Sequence, residues 1–139
     1  MADKLRVVLF EQNFLLASLI EQALRESGHQ LQICIDTTVC PVCRDDTAVC
    51  SKQRPCADVM ICDFRGRGMS GLDLFKLQRA RGCKALDRNK AILTDLPLEP
   101  DAVREIDALG CELFKRPARV YELMNWVDKC SQRSDSLTV

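Results

Sequence analysis

The sequence predicts an α/β domain built on a parallel sheet, and three observations carry that reading. Short apolar runs at residues 5–10, 31–36, 58–62, 91–94 and 111–115 alternate with stretches of helical periodicity. The run Asp58-Val59-Met60-Ile61-Cys62 is mostly apolar without polar alternation, which is how a strand buried on both faces reads. Crossovers between such strands are right-handed and return the chain to the sheet in the same direction, so strands that alternate with helices run parallel. At 139 residues the chain holds one domain with a real core and not two.

Each element has its own signals. Leu5-Arg6-Val7-Val8-Leu9-Phe10 is a first strand ending at Glu11-Gln12-Asn13. Asn13 can cap a helix in which Leu16, Leu19, Ile20, Ala23 and Leu24 recur at helical spacing, until Ser27-Gly28 stops it. A second strand follows the only histidine, His29, which as a lone loop histidine receives no role. After the third strand, Ser70-Gly71-Leu72-Asp73 has capping-box character, and Leu72, Phe75 and Leu77 make a short amphipathic helix towards Arg81-Gly82. Ala91-Ile92-Leu93-Thr94 is a fourth strand ending on a hydroxyl. Pro100 opens a helix with Val103, Ile106 and Leu109 facing inward and Gly110 as its stop. A fifth strand and the break at Pro117 precede a last helix marked by Val120, Leu123, Met124 and Val127. The domain is expected to span residues 1–130, with 131–139 a polar, frayed tail.

Composition excludes several classes. Twenty basic and twenty acidic residues cancel, so charge directs the chain to neither nucleic acid nor a membrane surface. No apolar run spans a bilayer and the N-terminus leads straight into a strand, so a cytoplasmic location is expected. Nine cysteines are the anomaly, and in a reducing compartment they read as metal ligands, redox groups or small buried apolar residues before a disulfide framework.

Four of them fall in the pattern break at residues 37–56. Cys40-Pro41-Val42-Cys43 has the spacing with which two thiolates grip one ion, and Cys50 and Cys56 could complete a tetrahedral Zn²⁺ site that orders a loop unable to bury enough apolar surface. The same thiolates could hold an iron–sulfur cluster, Cys40 and Cys43 could form an exchanging dithiol, or the loop could simply be cysteine-rich; these readings stay open. Cys34, Cys62, Cys111 and Cys130 read as buried apolar groups and Cys83 as an exposed one.

Polar residues gather at the strand ends. In a parallel sheet Glu11, Gln12, Asp63, Thr94 and Lys115 or Arg116 converge on one rim, where open α/β sheets bind ligands. Such a set has a chemical meaning: Asp63 as nucleophile for a phosphoryl group, an acidic neighbour to help hold Mg²⁺, Thr94 to bond a phosphoryl oxygen and a cation to neutralise another.

The chain here resembles the receiver domain of two-component response regulators, the family that includes the chemotaxis response regulator. The likeness runs from Leu5 to Lys129. It rests on Asp58-Val59-Met60-Ile61-Cys62-Asp63, on Met69-Ser70-Gly71-Leu72, on Ile92-Leu93-Thr94 and on the segment from Gly110 through Pro117 with Phe114. The resemblance implies a flavodoxin-like, doubly wound (βα)5 sheet of order 2-1-3-4-5 and transfer of phosphate from a histidine kinase or phosphotransfer protein to Asp63. It also implies switch residues Thr94 and Phe114, a cation at Lys115 or Arg116, and Mg²⁺ at Glu11, Gln12, Asp63 and Arg65.

The sequence departs from the family's pattern at four places. Gln12 stands where a second carboxylate is usual, so Mg²⁺ binding is expected to be weakened. Gly66-Arg67 replaces Met-Pro and loosens the loop. Arg116, a planar fork, precedes Pro117 in place of a lysine. Residues 37–56 replace the second helix. Two function classes follow. One is a single-domain response regulator, a signalling module and not an enzyme, passing its state to a partner protein, with a homodimer left open. The other is a pseudoreceiver whose input is metal or redox state at Cys40, Cys43, Cys50 and Cys56.

Overall fold

The computed structural model describes residues 4–37, 40, 50, 53–66, 68–95, 97–115 and 120–137, the side chains of 132–137 excepted. Cys43, Arg116 and Pro117 therefore lie outside the described residues. In chain order the elements are β1 (Arg6–Phe10), α1 (Phe14–Glu26), β2 (Gln30–Cys34), β3 (Val59–Asp63), α2 (Gly71–Ala80), β4 (Lys90–Thr94), α3 (Pro100–Leu109), β5 (Glu112–Lys115) and α4 (Val120–Leu137). The five strands form one parallel sheet in the order β2-β1-β3-β4-β5. The flavodoxin-like, doubly wound fold expected from the resemblance is thus the fold of the chain.

Local signals place the boundaries. The Asn13 side chain accepts from the backbone N–H groups of Leu15 and Leu16 at 3.0 and 3.2 Å, which satisfies two orphan donors at the start of α1. Ser70 does the same for Asp73 at 3.0 Å at the start of α2. Pro100 opens α3, and Gly110 closes it with φ of 83°, a left-handed conformation that a glycine adopts without Cβ strain.

The sheet separates two cores. On one side Val7, Leu9, Val59, Ile61, Ala91 and Leu93 pack with Ala17, Ile20 and Leu24 of α1 and Leu123, Trp126 and Val127 of α4. On the other, Phe10, Met60, Cys62 and Ile92 pack with Leu72, Leu74 and Phe75 of α2 and Ile106 of α3. Every residue of β3 and β4 is buried, as two-faced strands require.

Several side chains differ from the periodicity-based expectation. Leu19 is 52% exposed and Val103 40% exposed, since α1 turns Ala17, Ile20 and Leu24 inward and α3 turns Ile106. Helix α4 runs to Leu137, through residues expected to fray, and Ser131 is fully buried in it. Cys83, expected to be exposed, is half-buried and packs on the core beside α2. Lys90 opens β4 fully buried, its ammonium 3.2 Å from Asp87 Oδ1 and 5.4 Å from the centre of the Phe75 ring.

Candidate functional site

The strand order reverses between β1 and β3: β1 leads outward to β2, and the chain then crosses back to β3. Crevices at the C-terminal ends of strands at such a switch point are where open α/β sheets bind ligands. Glu11 follows β1, Asp63 ends β3, Thr94 ends β4 and Lys115 ends β5. Asp63, Thr94 and Glu11 are 8%, 3% and 3% exposed, so two carboxylates and a hydroxyl are set into the rim with little access to solvent.

Backbone contacts fix Asp63. The Phe64 N–H donates to the Leu93 carbonyl at 2.7 Å, and the Gly71 N–H donates to the Phe64 carbonyl at 3.1 Å. Helix α2 therefore starts hard against the end of β3. A Cβ on Gly71 would lie 2.9 Å from the Asp63 carbonyl oxygen and 3.2 Å from Cys62 Sγ, so a larger residue there displaces the strand end. Gly66 is tighter still: a Cβ would sit 2.3 Å from the Met69 carbonyl oxygen and 2.9 Å from Thr37 Cγ2. The glycine that replaces the family's usual residue thus serves a close-packed turn and not a loosened loop.

Glu11 is held by its own turn, its Oε1 accepting from the Asn13 N–H at 3.1 Å. Burial together with the charges of Asp63 and Glu11 pushes the Cys62 thiol far up, so both carboxylates bear on one buried sulfur. Cys62 is thereby an inert packing group, its Sγ 3.3 Å from the Asp63 carbonyl oxygen. Gln12 is exposed, and its Nε2 donates to the Arg65 carbonyl at 3.3 Å.

On the other side of Asp63, Thr94 and Lys115 are direct register partners across β4 and β5, with Lys115 exposed. Phe114, half-buried, points to the α1/α4 core and meets Trp126 edge to face, centroids 5.9 Å apart and planes at 72°. Trp126 carries no motif, and its role as the seat of Phe114 could be found only from the fold. Thr37 was equally silent in sequence. It is fully buried, and its hydroxyl donates to the Met69 carbonyl at 3.2 Å, which ties the residues after β2 to the loop that follows Asp63.

The cysteine segment is only partly brought together. Cys40 Sγ accepts from Gln78 Nε2 at 3.4 Å, and the Cys50 N–H donates to the Arg81 carbonyl, so both lie along α2 and its C-terminal turn. Cys56 is exposed near the start of β3. Among the described residues no three His, Cys, Asp or Glu side chains gather as a metal site, so the zinc reading of Cys40, Cys50 and Cys56 gains no support.

No protein-family model and no curated protein matches the chain. Solved structures do match. The receiver domain of the Francisella response regulator 1452 superposes with a TM-score of 0.74 at 16% identity, covering 94% of this chain and 99% of that one. A CheY-like response regulator receiver domain protein from Methanospirillum hungatei gives 0.71 at 13% identity over 96% and 98%. A streptococcal redox sensor, from a family evolved from two-component response regulators, gives 0.72 at 14% identity over 98% of this chain and 54% of that one. At such identities the likeness is one of fold, and the chain has the fold of response regulator receiver domains.

Proposed function

We propose that the chain is a phosphoryl-accepting receiver, a signalling module that takes a phosphoryl group on Asp63 from a sensor histidine kinase or phosphotransfer protein and presents its altered surface to a downstream protein. The observation that carries this reading is the pairing of buried Glu11 and Asp63 at the switch point, flanked by Thr94 and Lys115 at the neighbouring strand ends.

In the transfer, an Asp63 carboxylate oxygen attacks phosphorus. The phosphorus–nitrogen bond of the donor phosphohistidine breaks, and the imidazole leaves with the bonding pair and takes up a proton. Thr94 donates its hydroxyl to one phosphoryl oxygen and the Lys115 ammonium pairs with another. The carboxylates of Glu11 and Asp63 and the Arg65 carbonyl suit a hard cation, and Mg²⁺ bound there would neutralise phosphoryl charge. Gln12 brings no charge to that set, which favours weak binding.

No described helix is long and apolar enough to cross a membrane, in keeping with a module that meets its kinase in the cytoplasm. Acetyl phosphate with Mg²⁺ is expected to add one phosphoryl group, read by intact mass, and Asp63→Asn is expected to abolish it. Absence of any adduct at saturating Mg²⁺ overturns the reading. It would leave the second one, a pseudoreceiver, which the neutral Gln12 amide on the Arg65 carbonyl favours.

A further inference from the structure

Two thiols at the margin of the rim are brought to one cluster by the fold, and their side chains have no part in phosphoryl transfer. Cys34 ends β2 on the same sheet face as Phe10, its register partner on β1, and is 7% exposed. The Cys40 N–H donates to the Thr37 carbonyl at 3.2 Å, and Cys40 packs half-buried on the cluster that contains Cys34. Gln78 reaches the same place from α2. It is fully buried, its Nε2 donates to Cys40 Sγ at 3.4 Å and lies 3.5 Å from Met60 Sδ, and its Oε1 has no hydrogen-bond partner. A buried amide left half-satisfied among sulfurs is costly as mere packing. Its donated bond to Cys40 Sγ holds that sulfur half-buried at the surface of the cluster.

We propose that Cys34 and Cys40 are a redox-active dithiol that exchanges with low-molecular-weight disulfides. The Cys40 thiolate attacks one sulfur of the small disulfide, whose S–S bond breaks and releases one thiol after protonation. The Cys34 thiol then gives up its proton and attacks Cys40 Sγ, displacing the second small thiol. The protein loses two electrons and two protons, and the small disulfide is reduced to two thiols. Cys34, the more buried of the two, is the less accessible to a small disulfide and so makes the second, resolving attack and not the first. The spacing-based pair Cys40 and Cys43 is the competing assignment.

Peptide mapping separates the two. The reduced full-length chain is treated with oxidised glutathione, quenched in acid, alkylated and cut before aspartate. Asp36 divides Cys34 in peptide 3–35 from Cys40 and Cys43 in peptide 36–44. The expected result is a disulfide joining 3–35 to 36–44, with Cys34 lost to alkylation. In Cys34→Ser the expected result is no such link and glutathione retained on Cys40. Recovery of 36–44 unlinked with an internal Cys40–Cys43 bond, or alkylation of both Cys34 and Cys40 after excess oxidant, overturns the proposal. The wild-type map decides even where the variant fails to fold.

Discussion

At the scale of single residues, the side chain that most sharply separates this rim from a fully acidic one is Gln12. Its amide N–H groups make it a donor, and it uses one on the Arg65 carbonyl at 3.3 Å, an oxygen that a cation would otherwise draw on. Gln12→Asp removes that donor and adds a charge beside two buried carboxylates. The expected outcome is an Mg²⁺ affinity raised about tenfold or more, equivalent to ~1.4 kcal/mol, measured by isothermal titration. Unchanged affinity would place the cation elsewhere. The departure was legible in the sequence, because a dipeptide shows its own charge. The partner was not, because Arg65 offers a backbone carbonyl, and no side-chain pattern announces one. The buried thiols lead to a second prediction. Burial, with Asp87 nearby, pushes Cys111 up from 9.0 to about 11, against the opposing pull of Lys90 and Arg79. A thiol held neutral in the fold but free to ionise in the unfolded chain stabilises the protein fully below the unfolded value, and that contribution fades as pH rises through the folded one. Urea midpoints are therefore expected to fall between about pH 9 and 11, and Cys111→Ala to flatten the fall. Equal slopes in the two proteins would assign the alkaline loss to other groups.

At the scale of elements, helical period located every helix, while burial chose which face of each turns inward. Five apolar positions of α1 recur at helical spacing, yet Leu19 lies on the exposed side with Phe14 and Leu15, which are 75% and 77% exposed. The hydrophobic stripe of a helix is wider than the strip that touches a sheet, so residues at its margin are ambiguous in sequence. Leu24, fully buried against the sheet, is not ambiguous. Leu24→Ala is expected to cost about 2–5 kcal/mol and Leu19→Ala about 0.5 kcal/mol or less, both read from urea unfolding at constant m. Comparable losses would mean that α1 is rotated on the sheet. The same reasoning explains Lys90. A lysine at a strand's first position reads as solvent-facing, yet its partner Asp87 and the Phe75 ring let it lie fully buried.

At the scale of the whole molecule, the alternation of strands and helices and the polar strand ends made the sheet and its rim legible, because both follow from local periodicity and right-handed crossovers. The link between the rim and the cysteine segment was not legible, because it runs through Thr37, a residue whose type announces nothing. Residues 34–40 would be closed into a ring by a Cys34–Cys40 disulfide, and Thr37 sits within it, bonded to the Met69 carbonyl and packed on Gly66 in the loop that carries Arg65. Drawing Cys40 towards Cys34 is expected to give up its bond from Gln78 and to pull on Thr37, whose carbonyl accepts from the Cys40 N–H. Displacing the groups around a nucleophile by an ångström costs up to about a hundredfold in rate. Phosphorylation of Asp63 by acetyl phosphate is accordingly expected to run about tenfold slower in the oxidised protein than in the reduced one. Cys40→Ser, which lacks the attacking thiol, should label at one rate under both conditions. Equal rates for reduced and disulfide-linked wild type would show that the two chemistries share a fold without sharing a signal, whereas oxidant-sensitive labelling that persists in Cys40→Ser would move the coupling to another thiol.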